Sequence, residues 1–184
     1  MSFATDFFEI PAALDADVTL VERVLAVVDR EPIHGKALVG VGRESAFRGI
    51  LRSLTTGTIG LDESYRLVES LLPPSGSPYA YDRRVFARKW GERLVRTQFS
   101  RMYNTAVLEL ALEQGVELVE VPHSRSEKRD SGCTMALAGR THSPDVLLQR
   151  LYRRYRDEQF GGPSTVPDHP HCTHVAVPIV QRGP

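Results

Sequence analysis

One stretch, between residues 82 and 115, constrains the fold of this chain more than any other. Its second half repeats apolar residues at a spacing of three or four: Val95, Phe99, Met102, Ala106 and Leu110. This repeat has the 3.6-residue period of a helix that is buried along one side. Gly115 stands at the expected end of that helix, because glycine adopts the left-handed conformation at little cost. The sequence therefore predicts a long helix at the centre of the fold.

The same stretch is rich in arginine. Three arginines form a row at multiples of four residues, and a fourth lies away from the apolar stripe: Arg84, Arg88, Arg96 and Arg101. Guanidinium groups bind phosphate and carboxylate oxygens two at a time, so these residues are candidates for an anion-binding surface. The alternative is a solvated helix face with no ligand.

Hydrophobic periodicity, capping residues and prolines divide the rest of the chain into helices and strands. Helices are predicted at three places in the first half and at one in the second: 18–29, 44–54, 62–72 and from Ser143 onward, where a capping serine precedes a proline. Strands are predicted in four short runs: 36–41, 116–121, 133–138 and 174–180. The predicted class is α+β, with helices packed on a small mixed sheet around the long amphipathic basic helix.

A chain of 184 residues is long enough to bury the core of one domain, and we predict a single domain at 1–184. Residues 73–80 combine prolines with small residues, which is typical of a linker. An N-terminal lobe at 1–72 is therefore possible, joined by this linker to an α-β-β-α-β region at 81–184.

Composition narrows the classes of partner. The formal net charge is zero, which argues against a protein that is basic all over, but basic residues outnumber acidic ones between 82 and 154. The start of the chain has no pattern of a targeting segment, and the longest strictly apolar run is too short to span a bilayer. Two cysteines without a secretion signal suggest free thiols. We expect a cytoplasmic protein with no membrane partner.

The loop from His123 to Gly132 concentrates polar chemistry. Arg125, Lys128 and Arg129 are candidates for binding an anion, because each donates hydrogen bonds and carries positive charge. The following Cys133 is a candidate nucleophile, with His123 or His142 as the base that would activate it. The alternatives are a solvated surface loop and a buried cysteine in a strand.

A second cluster lies near the end of the chain. His169, His171 and His174 occur within six residues, together with Asp168 and Cys172, and these side chains are potential ligands of a divalent metal. The alternative is a surface loop without a resident ion. If strands 116–121, 133–138 and 174–180 share one sheet, this cluster and the loop that contains His123 lie at the same sheet end or at opposite ends, depending on whether the strands are antiparallel or parallel. For the same-end arrangement we predict a composite site, in which His123 and His171 share a ligand.

Three functions follow from these features. The first is binding or processing of a phosphorylated partner, with nucleic acid favoured, through the basic helix and the cationic loop. The second is a small enzyme that acts on an anionic metabolite at a Cys/His-centred site. The third is a subunit of a larger assembly with an acidic protein partner. The sequence leaves open whether the protein is an enzyme.

Overall fold

The computed structural model of the protein describes residues 3–179. Within that range the chain forms seven α-helices and one three-stranded antiparallel sheet, and the predicted α+β class is confirmed. The helices are α1 Ile10–Asp15, α2 Val18–Arg30, α3 Arg43–Thr55, α4 Leu61–Leu71, α5 Trp90–Glu113, α6 Gly132–Leu137 and α7 Pro144–Tyr155. The strands are β1 Val119–Val121, β2 Arg140–His142 and β3 Val177–Pro178.

The predicted helices of the first half are confirmed to within about one residue at each end. Helix α2 shows why, since Asp17 accepts hydrogen bonds from the backbone N–H groups of Thr19 and Leu20 at 3.0 and 3.2 Å. These bonds satisfy two donors that the first turn leaves free. Leu20 and Val24 then face the core and are fully buried, as the apolar spacing requires.

Helix α5 is the predicted central helix, but it starts at Trp90 rather than near Asp82. The preceding residues form turns, and Lys89 has the left-handed backbone conformation, with φ 60°. The middle of α5 is buried on more than one side, because Ser100, Asn104 and Thr105 are inaccessible as well as the apolar stripe. The expectation of a helix with one solvated face is therefore wrong for this part of α5.

The sheet is antiparallel throughout, whereas the sequence predicted a mixed sheet. Strand β1 lies in the middle and pairs with β2 on one side and β3 on the other. The strand predicted at 133–138 is wrong, because this segment forms helix α6. Ser131 caps it by accepting a hydrogen bond from the backbone N–H of Thr134, and the buried residues Cys133 and Leu137 are four apart, as in a helix.

Two other strand predictions need correction. Residues 36–38 form a 3-10 helix instead of the start of a strand at 36–41. The last predicted strand, 174–180, is reduced to Val177–Pro178, and residue 180 lies outside the described range. The backbone N–H of Ala176 donates to Asn104 Oδ1 of α5 at 2.8 Å, so the chain before β3 is bonded to a helix side chain and not to a strand.

Buried apolar residues form two clusters that meet along α5. The first joins α1 to α4 with the first two thirds of α5. The second joins Leu108 and Ala111 of α5 with the sheet, α6 and α7, and includes Cys133 and Cys172. The division into an N-terminal lobe and a C-terminal region stays a prediction. No helix between residues 3 and 179 is long and apolar enough to cross a membrane.

Candidate functional site

The antiparallel pairing of β1 with β3 brings together two segments that are distant in sequence. The chain leaves β1 at Val121 and enters β3 at Val177, and these two points lie at the same end of the sheet. The loop after β1 therefore meets the segment before β3. Two contacts join them: Ser124 Oγ lies 2.6 Å from Thr173 Oγ1, and the backbone N–H of Thr173 donates to Glu127 Oε2 at 3.3 Å.

Four potential metal ligands converge where the two segments meet. A carboxylate oxygen of Glu127, the sulfurs of Cys133 and Cys172, and a ring nitrogen of His174 all lie within 4.8 Å of one another. The two cysteines are 1% exposed and His174 is fully buried. A group of two sulfurs, one nitrogen and one oxygen with this spacing is the donor set of a metal centre.

Local structure places the two cysteine sulfurs of this cluster. Cys133 lies in the first turn of α6, whose start is fixed by the Ser131 cap, and Ser131 Oγ is 3.2 Å from its sulfur. Cys172 follows a turn that is closed by a hydrogen bond from its backbone N–H to the carbonyl of His169 at 2.9 Å. The cap and the turn thus direct two sulfurs from different segments toward one point.

The hydrogen bonds around His174 define its tautomer. Thr134 Oγ1 donates its proton to the carbonyl of Lys128 at 2.9 Å, so it faces His174 Nε2, 3.4 Å away, as an acceptor. The ring proton therefore lies on Nε2. His174 Nδ1 is left with a free lone pair at 3.6 Å from the Cys172 sulfur. This is the arrangement of a ligating histidine whose second nitrogen is held by a neighbouring acceptor.

His169 has the opposite role. Its Nδ1 accepts a hydrogen bond from the backbone N–H of His171 at 3.2 Å, so in the neutral ring the proton lies on Nε2. That nitrogen is 3.2 Å from the Cys133 sulfur and 3.9 Å from Glu127 Oε2. A protonated nitrogen does not bind a metal. His169 instead donates toward the sulfur and holds Cys133 in place.

The two thiols differ in acidity. A hydrogen bond from Cys172 lowers the pKa of Cys133 to about 4; burial opposes this change, while Ser131 and His169 reinforce it. The hydrogen bond to Cys133, together with burial, raises the pKa of Cys172 well above its usual range. These opposite shifts favour the thiolate at Cys133 over that at Cys172, and the thiolate is the form that binds metals.

The structure assembles this cluster from only part of the predicted set. Cys133 and His174 belong to it, and His169 contacts it. His171 is exposed and His123 packs its ring against Gly139. His142 Nε2 lies 3.1 Å from the carbonyl of Leu137, and the imidazole that contacts Cys133 is that of His169. A ligand shared by His123 and His171 stays a prediction.

Sequence reasoning missed Glu127 altogether, and it counted Cys172 among the potential ligands near residue 170 without pairing it with Cys133. Glu127 carries no local signal, because it lies in a charged loop among other polar residues. Cys172 had one available signal: it is two residues from His174, and the chain has only one other cysteine. Two cysteines in one reduced chain are candidates for a shared metal even when they are distant in sequence.

The predicted anion-binding residues divide into two groups. Arg101 is 1% exposed and binds Glu31 at 3.1 Å, and Arg96 is 9% exposed and donates to the carbonyl of His171 at 3.1 Å. Burial with internal partners removes these two from any open binding surface, which corrects the prediction. The other five predicted residues are exposed: Arg84, Arg88, Arg125, Lys128 and Arg129.

Comparison with protein-family models, curated proteins and solved structures found no match to this chain.

Proposed function

We propose that this protein is a zinc-binding protein, in which Cys133, Cys172, His174 and Glu127 hold the ion. The observation that carries the proposal is the mutual distance of the four donor atoms, all within 4.8 Å. Zinc–sulfur bonds of about 2.3 Å and zinc–nitrogen bonds of about 2.0 Å place the corners of a tetrahedron roughly 3.3–3.8 Å apart. A small inward movement of the side chains would close the cluster around an ion.

The donor set favours zinc over other divalent ions. Calcium and magnesium select oxygen ligands, and a site with two sulfurs suits neither. Zinc accepts sulfur, nitrogen and carboxylate oxygen in one tetrahedral site. The hydrogen bonds from Thr134 to Lys128 and from His174 to Thr134 are of the kind that orient zinc ligands from behind.

A structural role fits this site better than a catalytic one. Four protein donors complete a tetrahedron, whereas catalytic zinc sites keep one position for water or substrate. The donors are also buried, and even the Glu127 side chain is only 10% exposed. The ion would join the loop after β1 to the segment before β3, in a region whose strands contain only two or three residues.

The same burial argues against Cys133 as a nucleophile. Its low pKa and its contact with His169 are those of an activated thiolate. A substrate would nevertheless have to reach a sulfur in a residue that is 1% exposed. Zinc requires no such access once the protein has folded around it.

Metal analysis of the purified protein tests the proposal. We expect about one equivalent of zinc per chain, and replacement by cobalt should give the visible spectrum of tetrahedral thiolate coordination. Cys172→Ser and His174→Gln should each lose most of the metal. His171→Gln is the matched control, because this exposed histidine is next to the ligand Cys172 in sequence and is not one of the four proposed ligands. Full zinc content in the Cys172 and His174 variants, or a chain that never takes up zinc, would refute the site.

A second proposal is the binding of nucleic acid or another phosphorylated partner. It is favoured by four exposed side chains that form no ion pair among residues 3–179: Arg88, Arg125, Lys128 and Arg129. Electrostatic binding to phosphates weakens steeply with salt. Titration of single- and double-stranded oligonucleotides at several salt concentrations tests it, and a signal that does not change with salt would count against it.

A further inference from the structure

A cavity of about 590 Å³ is lined in part by His169, whose Nε2 also contacts the Cys133 sulfur. It is bounded by the start of α5, the turn at residues 34–37, the loop after α7 and the segment at 168–170. Its volume falls within the range of small-molecule sites in proteins, roughly 300–1,000 Å³. None of the four proposed zinc ligands lines this cavity, so it is a separate candidate site.

Three aromatic side chains line this cavity: Trp90, Tyr155 and Phe160. Two of them are held in fixed positions. Trp90 packs edge-to-face on Phe86 at 5.0 Å, and the Tyr155 hydroxyl donates to the carbonyl of Pro167 at 3.1 Å. Phe160 is 72% exposed, which is unusual for a large apolar side chain at the wall of a cavity. A flat apolar ligand would cover it.

The charged residues on the wall are mostly basic: His34, Lys36, Arg84, Arg93 and Arg154. Arg154 is neutralised by Asp168 at 2.5 Å. His34 lies 4.0 Å from Glu158, the second acid on the wall. Asp168 is therefore matched by an arginine of the wall, while Glu158 faces an imidazole that is charged only when protonated.

Arg84 pairs with Asp82 at 3.2 Å, so Lys36 and Arg93 remain as the wall cations that bind no carboxylate within the described part of the chain. Arg93 Nη1 donates to the carbonyl of Arg88 at 2.8 Å, which fixes the guanidinium and leaves its other N–H groups for a ligand. The Lys36 ammonium lies 5.2 Å from the centre of the Tyr79 ring. The cavity thus combines aromatic walls with positive charge that is not compensated by the protein.

We propose that this cavity binds a small aromatic anion of the size of a nucleoside monophosphate. The aromatic ring would lie against Trp90 and Phe160, and the phosphate or carboxylate would bind Arg93 and Lys36. Planar rings stack on aromatic side chains, and a guanidinium binds two oxygens of an anion at once. This function is separate from the zinc site, because none of the four proposed ligands lines the cavity.

The chain contains a single tryptophan, Trp90, so its indole N–H gives one signal that reports on the cavity directly. We would titrate isotope-labelled full-length protein with four small-molecule probes and, separately, with long single-stranded DNA, and measure affinities in parallel by calorimetry. Adenosine 5′-monophosphate and 4-hydroxybenzoate carry both a ring and a charge, as phosphate and carboxylate respectively. Adenosine lacks the charge, and ribose 5-phosphate lacks the aromatic ring.

Saturable movement of the Trp90 signal by one of the two aromatic anions is the expected result, and which one binds identifies the anionic group. Adenosine and ribose 5-phosphate should bind at least about tenfold more weakly. Arg93→Gln and the exposed Lys36→Gln should each weaken binding of the aromatic anion about tenfold. Arg83→Gln is the matched control, since this exposed arginine lies outside the cavity, and should leave the affinity unchanged.

Three results would overturn the proposal: no movement of the Trp90 signal with either aromatic anion, equal affinity in the Arg93 and Lys36 variants, or a response to long single-stranded DNA only. The last would point to a polymer on the exposed arginines instead. Zinc content is measured on the same samples, so a failure here is distinguishable from a failure of the zinc site.

Discussion

The helices before residue 114 and the segments after it reach a folded state by different means. The first part packs long helices through an apolar cluster that includes Leu20, Val24, Phe47 and Leu51. The second part has the six-residue helix α6, the 12-residue helix α7, three strands of two or three residues and a long loop. Its interior brings the potential metal ligands Cys133, Cys172 and His174 together, whereas buried polar side chains of the first part, such as Arg101 and Asn104, bond to other protein groups. Short elements bury little surface each, so a metal would add the stability that packing alone supplies in the helical part.

Zinc removal is expected to have the largest effect on stability, and that effect should be confined to the part of the chain after residue 114. A metal at a free concentration of 1,000 times its dissociation constant stabilises the folded state by about 4 kcal/mol. Chelation, or Cys172→Ser, should therefore lower the melting temperature sharply. Hydrogen exchange should show lost protection at 116–179 and retained protection in α2 to α4. Uniform loss along the whole chain, or no loss, would contradict the contrast between the two parts.

The second effect concerns the contact that links the two parts. Arg101 of α5 donates to Glu31 Oε2 at 3.1 Å and to the carbonyl of Pro32 at 2.8 Å, and Arg156, just after α7, donates to Glu31 Oε1 at 2.5 Å. Glu31 thus accepts from the central helix and from the C-terminal part together. Loss of one partner leaves a buried charge poorly compensated.

Arg101→Met should destabilise the protein by about 3 kcal/mol, at the lower end of the usual range because Arg156 remains. The measurement is denaturant unfolding followed in both parts. Arg52→Met is the control, since its pair with Asp29 is half exposed on both sides and such pairs contribute under about 1 kcal/mol. Equal losses of stability in the two variants would show that the buried contact contributes no more than an exposed ion pair.

A smaller effect is expected at His169, which holds a ligand without being one. Residues behind a metal ligand change metal affinity by about 10- to 100-fold when they are replaced. His169→Ala should weaken zinc binding by that factor and still give one equivalent at saturating zinc, as measured by competition with a chromogenic chelator. Complete loss of the metal would instead show that His169 is a ligand. Glu127 would then be the residue that supports the site without binding the ion.

The helical part was the more predictable of the two. Its signals are local: Asp17 caps α2, and the apolar spacing repeats within each helix, so one segment of sequence contains the evidence for one element. The strand prediction for residues 133–138 was wrong, because six residues rich in apolar and small side chains fit a strand or a helix equally well. The hydrogen bond by which Ser131 caps α6 favours the helix, and a hydrophobic pattern does not reveal such a bond.

The candidate metal site could be predicted only in part, for a related reason. The sequence showed histidines and a cysteine near residue 170, and a second cysteine at 133, but the register of β1 with β3 decides which of them meet. Arg96 and Arg101 were assigned to the surface because charged residues on a helix usually face water. Their burial depends on partners 65 or more residues away, such as Glu31 and the carbonyl of His171, which no local pattern indicates.

The smallest expected effect is a change with pH that isolates Glu31. Burial by itself would raise the pKa of this carboxyl, but the hydrogen bond from Arg156 and the charges of Arg156, Arg101 and Arg30 outweigh it and lower the pKa below its ordinary value. A group whose pKa is lower in the folded state adds stability above its unfolded pKa. That contribution is lost as the pH falls through the folded pKa.

Glu31→Gln should therefore destabilise the protein at neutral pH, and the difference from the wild type should shrink as the solution is acidified below the ordinary pKa of glutamate. Both proteins lose zinc in acid, because protons compete for the ligands, so the difference between them cancels that common loss. The measurement is the free energy of unfolding of both proteins at a series of pH values. Glu44→Gln is the control, since the Glu44 side chain in its pair with Arg48 is 52% exposed and such a pair should contribute under about 1 kcal/mol. A difference that stays constant into acid would show that Glu31 acts through its shape and hydrogen bonds and not through its charge.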